Sequence, residues 1–586
     1  MRRKVTKVTE PLPIRQFVTG LIVAVIIASL IRLPYFSQIP AGLNRDEAAL
    51  GYNAYSLLKT GHDEYGKKWP ISITSFGDQK LPGYVYGLIP IIAVFDLSSW
   101  SVRLLSLVAG YVVVVASGVL TYQVTGRFWP DRRWQLVSTW LAMIFIAISP
   151  WGNHFARVAY EAHLAMALLL SGLCVYHLAL TSKQVLRQRW LLFLSALLLI
   201  ATLFTYHSYH VFTPLVLLIL LVIDRKKVLS TDKAGVVGSL IIGLIGVVIL
   251  YSGGVWQANI QKNQGISPFH KNDLFNHATE LRQQLPGDST FYKKILVNRP
   301  TEALARFGQN LVSVPAGTFL FVTGSVQGDH NPGATPNLHL FIAPLLIAGV
   351  LKLYGHRSHR ASGLLLAILI AALVAPALTI NPQHTVRFSP AFPFLEIVAA
   401  IGTVALYVHL TQKWQRLVMV GIVIAVAVSS TGRHMLRYWY IVPTNTEDHQ
   451  HSHVLAQAID RYTSQGMNVL TQSPSSSPYI WYVFEKKYDP TEFLKNVEYY
   501  PTDKEGFKHV KRLGTVRFEK IVWDELYEQT LTQELVLILK PPEIPDDKDL
   551  KVLEILTDSR GIEQYQVLLL TKEDAAKFYR GRQSEN

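Results

Sequence analysis

Apolar residues along this chain gather into long runs separated by short charged loops. The runs fall near 16–34, 102–123, 134–150, 159–180, 190–206, 210–223, 235–252, 338–354, 361–380, 389–410 and 417–432. A helix of about 20 mostly apolar residues crosses a hydrocarbon core about 30 Å thick, so the pattern predicts eleven membrane spans. The run at 210–223 is short, and 389–410 carries Pro390, Pro393 and Glu396. Two further apolar stretches, 83–95 and 309–323, are short and rich in Gly and Pro. They read as helices lying at the membrane surface or as re-entrant pieces rather than spans.

Three longer polar segments interrupt this pattern: 35–101, 253–337 and a tail from about 433 to 586. In the tail, helical stretches (447–465 and 478–487) alternate with apolar, β-branched runs at Val516–Trp523, Leu535–Leu539, Val552–Leu556 and Gln566–Leu570. Breaks such as Lys540-Pro541-Pro542-Glu543 separate them. The expected fold class is a multi-pass α-helical membrane protein with an extracytoplasmic α/β domain. Residues 1–432 would form the transmembrane module, with outer loops 35–101 and 253–337, and residues 433–586 the α/β domain.

Composition agrees with a membrane protein. Half of the 586 residues are apolar and 17% are charged, against about 25% charged in ordinary soluble domains. A disordered chain, a coiled coil and an ordinary cytosolic enzyme are excluded on that ground. The net charge of +15 raises the question of nucleic acid, and the placement of the cations answers it. With the N-terminus inside, the six inner segments hold 20 Lys and Arg, while the three short outer loops hold only Arg157 and Arg387. This is the positive-inside bias of a membrane protein, so no nucleic-acid partner is called for. It predicts a plasma-membrane protein with a cytoplasmic N-terminus and an extracytoplasmic tail. The first run lacks a small-residue cleavage site and reads as a retained anchor. The single cysteine, Cys174, leaves no internal disulfide and no Cys-based zinc site.

Candidate chemistry concentrates in the first outer loop. It holds Asn44-Arg45-Asp46-Glu47-Ala48, then Gly61-His62-Asp63-Glu64-Tyr65-Gly66, then Gly77-Asp78-Gln79-Lys80-Leu81-Pro82. One reading is a solvated loop whose acids are surface decoration. The other starts from position: Asp46 and Glu47 lie about a dozen residues beyond the first apolar run, close to the bilayer surface. A carboxylate there can take a proton from an acceptor hydroxyl while a lipid-borne donor approaches from the membrane side. Adjacent residues on a helix or strand face different ways, so one of the two acids would meet the substrate.

On these residues the chain resembles a known family. Asp46-Glu47-Ala48 after the first span, followed by Gly51-Tyr52-Asn53-Ala54, resembles the acidic-pair motif of lipid-dependent glycosyltransferases of the GT-C fold. The nearer group is that of the bacterial protein O-mannosyltransferase-like and aminoarabinose-transferase-like enzymes (glycosyltransferase family 39-like). Gly77 to Pro82 resembles their Lys-Pro element, and Ser149-Pro150-Trp151 with Arg157 and Glu161 fits as well. Arg387 ahead of Pro390, Pro393 and Phe394 resembles the Arg before a Pro-rich late span, and Phe319-Leu320-Phe321 with Gly328-Asp329-His330 fits the long loop. The resemblance runs over residues 14–432.

It implies a donor sugar, a mannose-like hexose or a pentose, linked to polyprenyl phosphate, and an acceptor hydroxyl on a protein, lipid or glycan at the outer face. A lipid phosphate with a second pKa near 6 leaves without a general acid. Its charge must be met by Arg or Lys. Attack from the opposite face inverts the anomeric carbon and needs a base. The resemblance makes Asp46 the base, with Glu47 beside it, and Lys80 and Arg387 the phosphate ligands. Arg157, Glu161, Asp78 and His330 are further candidate substrate contacts. If the cations suffice, neither cofactor nor metal is required.

The remaining candidates stay open between structure and function. Arg157 and Glu161 stand four apart and would meet on one helix face. Glu396 is a structural partner or a functional group in the late span. His207 and His210 belong to an interfacial aromatic belt, or contact substrate. His449, His451 and His453 bind a metal or mark a polar helix start, and the second reading is favoured because a spacing of two does not place them on one helical face. Asp329 and His330 serve loop structure or the acceptor. Two other functions compete: a secondary transporter or lipid-linked-sugar flippase, and a polysaccharide polymerase or ligase. A transporter would show internal repeats and charges near mid-membrane; the chain shows no repeat.

Overall fold

The computed structural model of the chain describes residues 13–585 except 77, 127, 130, 257–266, 270, 286–290, 326–329, 332–334, 446, 472–476, 503–507, 545–549 and 559–560. At 271–273, 292, 444–445, 447–451 and 581–585 only the backbone is described. Each of the eleven apolar runs forms a helix. Eight are long and apolar enough to cross a membrane: Ile14–Arg32 (α1), Ser99–Thr125, Glu161–Thr181, Val185–Leu203, Lys233–Ser252, Arg360–Ala377, Thr385–His409 and Lys413–Tyr440. The other three fall short for visible reasons. Arg132–Ile148 has 17 residues and Ile342–Gly355 has 14, and Tyr209–Leu229 ends in the polar stretch Asp224 to Lys227. On the long helix Lys413–Tyr440, Leu417, Ile422, Ile424 and Val428 are all exposed, an arrangement suited to lipid and not to water.

The chain divides into two compact units. The first comprises 1–36, 106–252 and 262–438; the second comprises 37–105, 253–261 and 439–586. The first unit is the helical bundle. Its core gathers Phe145, Ile146, Leu169, Phe392, Phe394 and Ile397 from successive helices. Helices Ile342–Gly355 and Phe392–His409 meet backbone to backbone. A Cβ on Gly402 would lie 1.9 Å from the Leu345 carbonyl, and one on Gly349 would lie 2.0 Å from that of Val398. Such small-residue contacts are how helices pack where no water drives them together. Pro390 lies in the 3₁₀ turn Ser389–Ala391 and Pro393 in the first turn of Phe392–His409. There a missing N–H removes no helical bond.

In the second unit, residues 37–105 supply the helix Arg45–Thr60 (α2), a hairpin of strands Ile73–Ser75 (β1) and Asp78–Lys80 (β2), and the helix Pro82–Phe95 (α3). The tail supplies a mixed sheet of seven strands: Asn468–Thr471 (β3), Val497–Tyr499 (β4), Val510–Leu513 (β5), Val516–Phe518 (β6), Leu535–Leu539 (β7), Lys551–Thr557 (β8) and Glu563–Leu570 (β9). Their order is β4-β5-β6-β3-β7-β9-β8, with β3 parallel to β6 and β7 and the other pairs antiparallel. All five side chains of β7 are buried, as a continuously apolar strand demands. The run expected over Val516–Trp523 stops as a strand at Phe518, because Trp523–Thr530 is a helix. Asp524 and Glu525 in its first turn favour that start.

Candidate active site

The acidic pair opens α2. Asn44 caps this helix: its Oδ1 accepts from the Glu47 N–H at 2.8 Å, and Glu47 Oε2 accepts from the Asn44 N–H at 3.1 Å. That reciprocal box sends the two neighbouring acids in different directions. Glu47 is 1% exposed, and Arg103 grips it with Nε on Oε1 at 2.9 Å and Nη2 on Oε2 at 3.0 Å. The same guanidinium donates to the carbonyls of Ser37, Pro40 and Gly42. Glu47 thus anchors the segment that leads into α2 and leaves its neighbour as the exposed acid of the pair.

Asp46 is that neighbour, with a side chain 53% exposed. Its Oδ1 lies 2.5 Å from Lys80 Nζ, and Asp78 Oδ2 lies 3.2 Å from the same ammonium. Partial desolvation by the groups packed around it works to raise the Asp46 carboxyl, but the charge and hydrogen bond of Lys80 outweigh that and hold the group below the usual carboxylate range. Asp46 is therefore ionised throughout the neutral range. Lys80 is nearly buried, with its ammonium 5.1 Å from the centre of the Phe76 ring, and the Arg45 guanidinium lies 4.5 Å from that ring. An exposed carboxylate, a buried ammonium and a second carboxylate thus meet on a capped helix and a short hairpin. Such a set can accept a proton on one side and bind an anion on the other.

Behind the hairpin, two acids of the first outer loop are buried. Asp63 accepts the N–H groups of Tyr65, Lys67 and Thr74. Burial pushes its carboxyl up despite those bonds. Glu64 accepts the Tyr479 hydroxyl at 2.9 Å and the Phe76 N–H at 3.0 Å, and burial pushes it up to about 7. Neither is a surface acid.

Arg387, His330, Arg157 and Glu161 lie in the first unit. Arg387 is half-buried and donates from Nη1 to Thr379 Oγ1 at 3.1 Å; its own N–H meets His384 Nδ1. His330 sits 4.6 Å from the His384 ring and 3.2 Å from the Tyr160 hydroxyl. Tyr160 in turn lies 3.5 Å from His154, which meets Tyr438 at 2.9 Å. Arg387 therefore borders a His–Tyr chain that the sequence does not announce.

The one-face expectation for Arg157 and Glu161 is corrected. The helix breaks between Phe155 and Glu161, and Arg157 sits in the break. Its guanidinium is fully buried and donates to the carbonyls of Arg32, Pro34 and Tyr35 at 2.9, 2.7 and 2.8 Å. It satisfies the end of α1, where helical carbonyls lack internal partners. Glu161 opens the following helix, where a negative charge suits the N-terminus.

Glu396 is buried with Trp151 Nε1 3.3 Å from Oε2. His210 holds the Leu203 carbonyl at 2.7 Å. His453 pairs with Glu485 at 3.1 Å, which raises its pKa. Gly77, Gly328 and Asp329 and the side chains of His449 and His451 lie outside the described residues.

Sequence reasoning missed Arg103, Phe76, His384 and Tyr479. One signal was available for Arg103: it opens an apolar run from the expected outer side, against the positive-inside bias.

No protein-family model matches the chain, and no curated protein matches it by sequence. Solved structures do match. ArnT from Cupriavidus metallidurans in the apo state is 12% identical, covers 95% of this chain and 98% of its own, and superposes with a TM-score of 0.50. The same protein bound to undecaprenyl phosphate gives 12%, the same coverage and 0.51. The oligosaccharyltransferase of Archaeoglobus fulgidus in complex with Zn and sulfate is 14% identical, with 79% and 61% of the two chains covered and a TM-score of 0.50. At such identities the likeness establishes architecture, and these neighbours are GT-C fold glycosyltransferases. The chain has the GT-C fold of a multi-pass membrane protein.

Proposed function

We propose that this protein is an integral-membrane glycosyltransferase that moves a hexose or pentose from polyprenyl phosphate to an acceptor hydroxyl. One observation carries the reading: in a GT-C fold, the exposed Asp46 carboxylate is held 2.5 Å from the buried Lys80 ammonium. A neighbour of the same fold, ArnT, is found bound to undecaprenyl phosphate, which supports a lipid-phosphate donor.

When a donor phosphate engages the Lys80 ammonium, the Asp46 carboxylate turns to the acceptor hydroxyl and takes its proton. The acceptor oxygen bonds to the anomeric carbon as the bond to the phosphate oxygen breaks. Polyprenyl phosphate departs with its charge met by Lys80, and Arg387 is the second candidate cation. The sugar inverts. The distribution of Lys and Arg supports a cytoplasmic N-terminus, with 35–101, 253–337 and 433–586 on the outer face. The acceptor is a protein, lipid or glycan on that face.

The test is incubation of the protein in nanodiscs with a panel of polyprenyl-phosphate sugars, detecting released polyprenyl phosphate. Release with at least one donor is expected. Donor crossing the bilayer intact, with none cleaved, would make the protein a flippase instead.

A further inference from the structure

The chemistry above leaves Glu64, a buried acid of the second unit, without a task. Glu64 is 1% exposed, and its Oε1 accepts the Tyr479 hydroxyl at 2.9 Å and the Phe76 N–H at 3.0 Å. Asn53 Nδ2 approaches Oε2 at 3.3 Å. The Phe76 N–H is shared with the Tyr479 oxygen at 3.1 Å, so the three groups form a closed triangle. Tyr479 comes from the tail, on the helix Tyr479–Glu485, and is 1% exposed.

Phe76 matters because of where it stands. It follows β1 in the turn of the hairpin, at φ +40°, a left-handed conformation that a bulky side chain avoids. Such a backbone persists only where its surroundings hold it, and the triangle does so. The Phe76 ring lies under Lys80 Nζ, and the ladder of the hairpin pairs Ile73 with Lys80 and Ser75 with Asp78. Tyr479 thus holds Phe76 through Glu64, and Phe76 supports Lys80 through both the hairpin and its ring.

We propose that Tyr479 and Glu64 are positioning residues, a latch by which the tail domain fixes the β1–β2 hairpin and with it the ammonium that meets the donor phosphate. This rests on the reading of Lys80 as a phosphate ligand. It assigns the tail a part in donor binding that its fold alone does not reveal.

The experiment compares full-length wild type, Tyr479→Phe and Glu64→Leu in nanodiscs. Hydrogen exchange across 73–80 reports the hairpin without any reference to transfer. Loss of one buried hydrogen bond should speed exchange there about 3- to 10-fold. Transfer should show a donor KM raised and a kcat lowered by comparable factors. In a Lys80→Ala background Tyr479→Phe should add no further loss, because both act on one ammonium. Unchanged hairpin exchange overturns the proposal, and so does a loose hairpin with unchanged kinetics or with losses that add to Lys80→Ala. If wild type cleaves no donor at all, the glycosyltransferase reading fails, and the exchange measurement still decides whether Tyr479 holds the hairpin.

Discussion

Replacing Arg103 by Met should unlock the start of α2. The Arg103 guanidinium is fully buried and makes five hydrogen bonds, two to Glu47 and three to the carbonyls of Ser37, Pro40 and Gly42. Met fills a similar volume and donates nothing, so the Glu47 carboxylate stays buried after losing both guanidinium bonds. Breaking one side of a buried ion pair costs about 3–5 kcal/mol. At about 1.4 kcal/mol per tenfold, that is roughly 10²- to 4 × 10³-fold in a local opening constant. Hydrogen exchange of the α2 amides in the intact protein measures this directly. Arg103→Lys should recover part of the loss, since an ammonium lacks the planar fork. Adding Glu47→Leu to Arg103→Met should recover more, leaving about 1 kcal/mol for the lost capping box. A change under about 3-fold in Arg103→Met would refute the claim that this clamp holds the acidic pair in place.

Three further outcomes follow from the same geometry. Burial raises the Glu64 carboxyl and outweighs its bonds to Ser75, Tyr479 and the Phe76 N–H, so with Asp63, Tyr52 and Tyr499 also facing it the group keeps its proton on to about 7. An unfolded Glu titrates near 4.3, so unfolding releases a proton between those values, and stability should fall as pH rises from about 4 to about 7. Glu64→Gln should flatten that slope in thermal melts, and an unchanged slope would move the titration to another group. Arg387→Ala should weaken donor binding and lower kcat, and Arg387→Lys should restore only part; unaltered kinetics in both would remove Arg387 from the phosphate site. Single cysteines at Ser230, Ser358 and Thr532 in a Cys174→Ser background test topology. Only Thr532→Cys should react with an impermeant thiol reagent before permeabilisation, and the reverse pattern would invert the orientation.

The helical bundle was legible because a span is a local property: about 20 apolar residues in sequence suffice to declare one. The strand Leu535–Leu539 was readable for a similar reason, being an unbroken apolar run between breakers. What escaped the sequence depends on partners far apart. Glu47 and Arg103 are 56 residues apart and Glu64 and Tyr479 are 415, so no local pattern distinguishes a clamped acid from an exposed one. Asp46 and Glu47 look alike in sequence, and only the capping box separates their directions. Arg157 was misplaced because four-residue spacing implies a shared face only within one helix, and the chain breaks its helix there.

In the proposed mechanism Asp46 takes the acceptor's proton while a lipid-phosphate donor is cleaved. The most direct measurement is polyprenyl phosphate released per enzyme by wild type and by Asp46→Asn, alongside donor affinity measured separately in nanodiscs. Removing a general base costs about 10²- to 10⁴-fold in rate, so turnover should fall by that factor while donor affinity stays within a few-fold. Turnover in Asp46→Asn close to wild type would remove Asp46 as the base.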